Sequence, residues 1–506
     1  MKKVVFLKNA AILTATSIIL RLVGILFKVW LASAVGAEGI GLYQLIFSVY
    51  MLVSTFASAG IVTAVTRLIA DELALGSKCG IQKILNRSIW LTLIIAFISM
   101  SITYFGADFI SINLLAEKRA IPAIKMLSFA LPFIGIVSVL RGYFIARRKA
   151  APSAFSQLLE QAARIIIIVL MLKKYLSYGL SAACAAVLFA DAAAHAISLL
   201  FLWILYIKDI GKLKFLKGRK SPPFSVLRAV LHIGAPITAG RYLNTALRTA
   251  ENLLVPRGLE KSGAGKAALS QFGMIKGMAL PVLFFPSSLL SSLSTMLIPE
   301  ISEAKALNKD NLVKLATGRI IQLTSIIAFL FSGVFLTAGK QIGTLIYGSD
   351  DVGFLLCALS PIVPLMYLDS VCDGILKGLD QQKFCFKNSI LDSVLRILLV
   401  ISFLPKTGMS GFLGIMYISN ILTCLLNVGR LIKVSKTKIN VVLWFFIPFS
   451  TALCIMLPLS KILMLLNFSE LVYIILLCII SFPLYFLVLF FFKSFSKDDI
   501  LDVLRK

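Results

Sequence analysis

NAAILTATSIILRLVGILFKVWLASAV, residues 9–35, decides how this chain is read. It exceeds the roughly 20 apolar residues that a helix needs to cross a bilayer, yet it carries Arg21 and Lys28 inside the span. Seven residues is about two helical turns, so both cations lie on one face. A charge at membrane depth costs at least ~2.5–3.5 kcal/mol on insertion scales and turns towards a bundle interior or a watery cavity. The pattern returns later in the chain. Laid without gaps at an offset of 220, Arg21 falls on Arg241, Lys28 on Arg248 and Lys8 on Arg228.

The remaining sequence suits a membrane. Of the 506 residues 59% are hydrophobic and the mean hydropathy is +0.94, whereas soluble domains are roughly 45–50% apolar. No loop is long enough for a soluble domain. The N-terminus has a signal-like start in Lys2, Lys3 and Lys8. The apolar run far exceeds a ~7–15-residue signal core and contains Arg21, so an uncleaved first helix is expected. The net charge of +28 does not indicate nucleic acid, because the basic residues gather on the tails and on alternate connections. The eight cysteines are scattered, without CxxC or metal spacing, and no disulfide framework is expected.

Hydropathy predicts an all-α polytopic protein of about fourteen spans, near 10–35, 41–70, 88–107, 122–146, 154–172, 179–207, 227–250, 268–298, 315–338, 353–376, 386–404, 409–430, 440–459 and 469–492. Lys and Arg favour both tails and the even-numbered connections, which places these sides and both termini in the cytoplasm. The densest basic segment, 208–226, contains Pro222 and Pro223. It reads as a linker over an anionic leaflet or as an ordinary positive-inside loop. A second repeat supports the division there. At offset 232, Pro132 meets Pro364, Ser138 Ser370, Gly142 Gly374, Glu160 Asp392, Arg164 Arg396 and Gly179 Gly411. The expected organisation is two parallel six-helix lobes, 1–207 and 227–432, around a central cavity. Two further helices and a cytoplasmic tail make up 433–506.

Such lobes give a transporter geometry. Arg21, Lys28, Arg241 and Arg248 facing one cavity would attract an anion, and arginine forks suit phosphate. The alternative is local pairing within each lobe. Glu251, three residues beyond Arg248, is either that partner or a coupling-cation candidate. Lys276 is a further cavity cation. Asn388 and Asp392 share a helix face and are candidates for a coupling cation. Asp392 also has Arg396 four residues on, as Glu160 has Arg164, which suits a structural pair. Asp191 and His195 fit a buried hydrogen-bonded pair better than a proton relay. GAGK at 263–266 lacks the rest of a phosphate loop, HExxH is absent, and no enzyme is expected.

RGYFIARRKAAPSAFSQLLEQAAR (141–164), GAEGIGLYQLIFSVYMLVSTFASAGI (36–61) and TRLIADE (66–72) resemble the stage V sporulation protein B family. This is a polysaccharide-biosynthesis branch of the multidrug/oligosaccharidyl-lipid/polysaccharide exporter superfamily, similar to lipid II flippases. The flippase pattern in the first span, arginine, then glycine, then arginine at steps of three, is met by Arg21 and Gly24. It departs at Phe27, with Lys28 beside it. Thr55 and Phe56 stand where those flippases carry a basic residue in the second span. The resemblance implies a lipid-linked glycan flippase of the bacterial inner membrane, serving cell wall or spore cortex. Its substrate would be a polyprenyl-diphosphate-linked peptidoglycan precursor. It implies no cofactor beyond Na+ or H+ as coupling ion, with Asn388 and Asp392 matching a sodium-site spacing. Cell-wall synthesis enzymes are candidate partners. A cation-coupled multidrug exporter and a non-transporting scaffold are the alternatives.

Overall fold

Long apolar runs can satisfy their backbone inside a bilayer only as helices or closed barrels, and this chain takes the helical course. The computed structural model describes residues 2–58, 60–74, 78–211, 223–307, 309–466, 468–492 and 494, with backbone alone at 2–11, 78, 223–227, 289 and 291–300. Among the described residues there are helices and turns and no strand. In the first half run α1 (Lys2–Ser58), α2 (Ile61–Ala74), α3 (Lys78–Phe105), α4 (Ile121–Ala146), α5 (Ala150–Leu176), α6 (Leu180–Gly211) and α7 (Pro223–Leu259). Then come α8 (Leu280–Ala306), α9 (Asp310–Tyr347), α10 (Asp350–Leu359), α11 (Val363–Gly378), α12 (Gln382–Ser402), α13 (Leu404–Ser435), α14 (Ile447–Leu465) and α15 (Glu470–Phe491).

Local chemistry sets the ends. Helix α9 stops at Gly348, which is left-handed at φ 62°. The side chain of Ser349 then accepts from the backbone N–H of Val352 at 3.4 Å, with Asp350 and Asp351 in the first turn of α10. Side-chain capping and early acidic residues both favour a helix start there.

Eleven helical runs among the described residues are long and apolar enough to cross a membrane. Two are too long for one crossing: Ile12–Ala74 has 63 residues and Arg228–Ser288 has 61. At 1.5 Å per residue the first is roughly 95 Å, about three times the hydrocarbon thickness. Gly36 breaks it with φ 75° and ψ 176°, and Gly263, at φ 102°, breaks the second. Each run therefore holds two of the segments expected from hydropathy. Helix α12 covers 386–402 and, with Lys387, Asp392 and Arg396 along it, is not among the eleven. All fourteen expected segments fall on helices.

The exterior is apolar, with Ile102 66%, Leu170 73% and Leu465 82% exposed, as befits lipid rather than water. The described residues divide into two compact units, within Met1–Phe27 with Gly41–Arg257 and Lys28–Ile40 with Gly258–Lys506. In the first unit Ile61, Val65, Ile69, Leu85, Leu140, Tyr143, Phe144 and Leu202 form a buried core. In the second, Ile40 packs against Gly277, where a Cβ would come within 2.5 Å of it. Division by compactness falls just after Arg257, because α7 belongs with the first unit. Division by internal repeat, at 208–226, is a different description of the chain. Of that linker, 212–222 lies outside the described residues, as do the tail residues beyond 494 and the side chain of Lys8.

Candidate functional site: a cationic cavity lined by amides and hydroxyls

Two helix faces of the first unit build the site. After Gly36, α1 carries Gln44, Ser48, Met51, Thr55 and Ser58 at alternating steps of four and three, the spacing of a single face. On α7, Arg241, Thr245, Arg248 and Asn252 repeat that spacing. Between these stripes lies a cavity of about 520 Å³, completed by Phe47, Asn244 and Thr249. The faces are fastened at one end. Thr249 Oγ1 donates to the Ser48 carbonyl and Asn252 Nδ2 to Ser48 Oγ, both at 3.0 Å. At the other end Gly60 meets Gly234, so closely that a Cβ on Gly60 would lie 2.0 Å from the Gly234 carbonyl oxygen.

Among the described residues the lining holds two guanidinium groups, several amides and hydroxyls, and no carboxylate. Guanidinium forks match phosphate oxygens, while amides and hydroxyls match the alternating donors and acceptors of sugars. The cavity is chemically suited to an anionic, hydroxyl-rich headgroup.

The expected cations are distributed unevenly. Arg241 and Arg248 share the cavity wall. Arg21 is exposed on α1 before the Gly36 break and is not in that lining. Lys28 and Lys276 belong to the second unit, both half-buried; the Lys276 ammonium stands 6.0 Å from the centre of the Phe412 ring. Glu251 is buried on α7.

Two further polar networks lie within the helices, one in each unit. In the first, Glu160 receives Arg141 at 2.8 Å, Arg164 at 3.1 Å and His195 Nδ1 at 3.2 Å. Arg164 Nε also reaches Asp191 at 2.5 Å, and the Tyr50 hydroxyl lies 3.1 Å from His195 Nε2. Asp191 and His195 thus sit 3.6 Å apart in a larger assembly. In the second unit Arg396 Nε donates to Asp392 at 3.2 Å, and Ser419 Oγ donates to the same carboxylate. Asn388 Nδ2 donates to Asn427 Oδ1 at 2.9 Å, and Asn427 Nδ2 donates to Asp369 at 2.8 Å. The Asn388 carbonyl oxygen is buried without a hydrogen-bond donor. The i,i+4 pairs Glu160–Arg164 and Asp392–Arg396 therefore form in both units.

Sequence reasoning missed the neutral lining. Ser48, Thr55, Asn244 and Asn252 are unremarkable singly, and only their helical spacing within apolar spans marks a polar stripe. Tyr50 in the Glu160 network gave no local signal, and Arg141 stood out only as part of the 141–164 stretch, not as a partner of Glu160.

Comparison with known proteins follows the same line. The chain is 27% identical over 447 residues to stage V sporulation protein B of Bacillus subtilis (strain 168), covering 87% of this chain and 86% of that one. It is 26% identical over 428 residues to lipid II flippase MurJ of the same organism, covering 78% and 76%. Among solved structures, lipid II flippase MurJ in an inward closed conformation superposes with a TM-score of 0.69 at 17% identity, over 97% of this chain and 99% of that one. An inward-facing MATE family multidrug resistance transporter gives 0.62 at 16%, over 85% and 99%. The chain is a multi-pass membrane protein with the fold of these transporters, and its relatives with a stated activity are transporters and flippases rather than enzymes. It belongs to the polysaccharide biosynthesis protein family, whose pattern matches residues 6–305.

Proposed function

We propose that the protein is a flippase for a polyprenyl-diphosphate-linked glycan, a peptidoglycan precursor of the lipid II kind, carried by alternating access from the inner to the outer leaflet. The observation that carries this reading is the cavity between α1 and α7, with Arg241 and Arg248 set among amides and hydroxyls and without a carboxylate. The arginines take the diphosphate, the neutral side chains take the sugars, and the polyprenyl tail stays in lipid. Arg21, Lys28 and Lys276 are assigned to the same substrate path. Homology to a sporulation protein and to a lipid II flippase supports the substrate class and a role in cell wall or spore cortex.

Both termini are placed in the cytoplasm, with fourteen crossings and the two six-helix repeats as the moving parts. Moving two negative charges outward is then favoured by about 4–5 kcal/mol per 100 mV of inside-negative potential. Asn388, Asp392 and Glu251 are assigned to a coupling cation, Na+ or H+. Enzymes that make or polymerise the precursor are the proposed protein partners.

The test is a conditional bacterial strain depleted of its own lipid II flippase, scored for external exposure of the precursor. Wild type restores export. Arg241→Ala with Arg248→Ala loses it, each arginine contributing roughly 10- to 100-fold if it makes one charged hydrogen bond of about 1.5–3 kcal/mol. Export by both proteins would retain the flippase and remove the cavity from it. The MATE likeness favours a second reading, a cation-coupled drug exporter. That reading requires wild type to lower the intracellular level of a cationic dye, and requires no rescue in the depleted strain.

A further inference from the structure

A second cavity lies wholly within the second unit, between the start of α9 and the segment joining α13 to α14. It measures about 460 Å³, and its wall carries Lys314, Arg319, Lys436 and Lys438 beside the indole of Trp444, with no acidic residue among the described residues of the lining. The backbone is shaped to make it. Lys436 ends α13 in the left-handed region at φ 53°, turning Lys436–Lys438 towards α9. There the Thr437 hydroxyl donates to the Lys314 carbonyl at 3.3 Å and pairs with Ser435 Oγ at 2.8 Å. Trp444 is seated over Gly318, where any Cβ would stand 3.1 Å from the indole. Asp310 meets Lys436 at 3.4 Å, both exposed at the rim.

Four cations on a flat cytoplasmic face would need no ligand, since membrane proteins carry such charge to fix their orientation. Here they converge on a concave site, and the site has an apolar margin. Leu315 in the wall is exposed, and the Trp444 indole stands in the same wall on the wide turn at the start of the next span. Cations set beside a tryptophan and an exposed leucine match one kind of molecule, a phosphate headgroup joined to acyl chains. Guanidinium and ammonium groups take the phosphate oxygens, and Leu315 and the Trp444 indole take the start of the chains. We propose that this cavity is a binding site for an anionic phospholipid, separate from the cavity of Arg241 and Arg248.

Trp444 supplies the probe. In a full-length protein with Trp30, Trp90 and Trp203 changed to Phe, Trp444 is the remaining tryptophan of four. Reconstitution into mixtures of brominated phosphatidylglycerol and unbrominated phosphatidylcholine, and the converse, gives the relative affinity from fluorescence quenching. The expected result is a preference for phosphatidylglycerol that falls roughly 10- to 100-fold towards none in Lys314→Gln/Lys436→Gln/Lys438→Gln, since each such charge is worth about fivefold near a lipid surface. Lys438→Gln alone, scored beside the triple variant for monodispersity, gives a partial loss if the triple variant fails to fold. An unchanged preference in either variant, or none in wild type, overturns the proposal. Loss of the preference to inorganic phosphate, but not to chloride of equal ionic strength, would make this a free-anion site and also overturn it. None of these outcomes depends on whether the protein flips a glycan lipid.

Discussion

Glu160 is the centre of the largest charge network described in the first unit. Three cationic or titratable groups reach it within 3.2 Å, and it is 9% exposed. Removing one member of a buried ion network is more damaging than never having had the network, because the survivors stay desolvated; about 3–5 kcal/mol is usual. Glu160→Gln is therefore expected to lower the unfolding temperature of the detergent-solubilised protein sharply. Asp392→Asn should cost less, since Asp392 is more exposed and, among the described residues, is held by the ion pair to Arg396 and by Ser419. Equal shifts for the two variants would refute this ranking. The sequence showed the helical pairs at 160/164 and 392/396, because their partners lie one turn away. It could not show Arg141, Tyr50 or His195 around Glu160, since each stands on a different helix and only packing brings them together.

At the scale of the element, the part of α1 beyond Gly36 has two working faces. Gln44, Phe47, Ser48 and Met51 border the cavity, while Tyr50 turns away to His195. The ring of Phe47 stacks on that of Tyr50 at 5.6 Å, joining the faces. Tyr50→Phe removes the hydroxyl's contact with His195 and should cost about 0.5–1.5 kcal/mol, read as a small downward shift in unfolding temperature. A sharper contrast lies where α7 crosses the end of this segment. A Cβ on Gly60 would meet backbone oxygen at 2.0 Å, which no side-chain motion relieves, whereas a Cβ on Gly234 would find its nearest neighbour at an ordinary 3.5 Å. Gly60→Ala should abolish stable accumulation in the membrane, and Gly234→Ala should accumulate as wild type does; immunoblotting of membranes decides. The polar stripe on α7 was legible because Arg241 and Arg248 stand out in an apolar span. The glycine crossing was not, because a pair of glycines far apart in a chain carries no mark of meeting.

For the whole molecule, hydropathy sufficed to find the helices, and the apolar exterior explains why: in lipid the pattern need not hide its hydrophobic face. It did not show where the chain parts into compact units, because helix α7 looks like the first member of a second repeat while it packs with the first. Orientation rests on the distribution of Lys and Arg and is open to direct measurement. With the other seven cysteines replaced by Ser, Cys79, which is exposed, should resist a membrane-impermeant maleimide added to intact cells. In the cysteine-free protein, Lys261→Cys, on the opposite expected side, should react. Labelling of Cys79 from outside would invert the topology proposed here.

The packing of Ile40 on Gly277 has a consequence for how the protein is made. Residues 28–40 leave the ribosome before the surface they pack against, which is synthesised more than two hundred residues later. At roughly 5–20 residues per second, that is a wait of about ten to fifty seconds with Ile40 and its neighbours inserted but unpartnered. Through this interval the nascent chain relies on lipid or on the insertion machinery to shelter that stretch, and a ribosome stalled anywhere before Gly277 leaves it open to quality-control proteases.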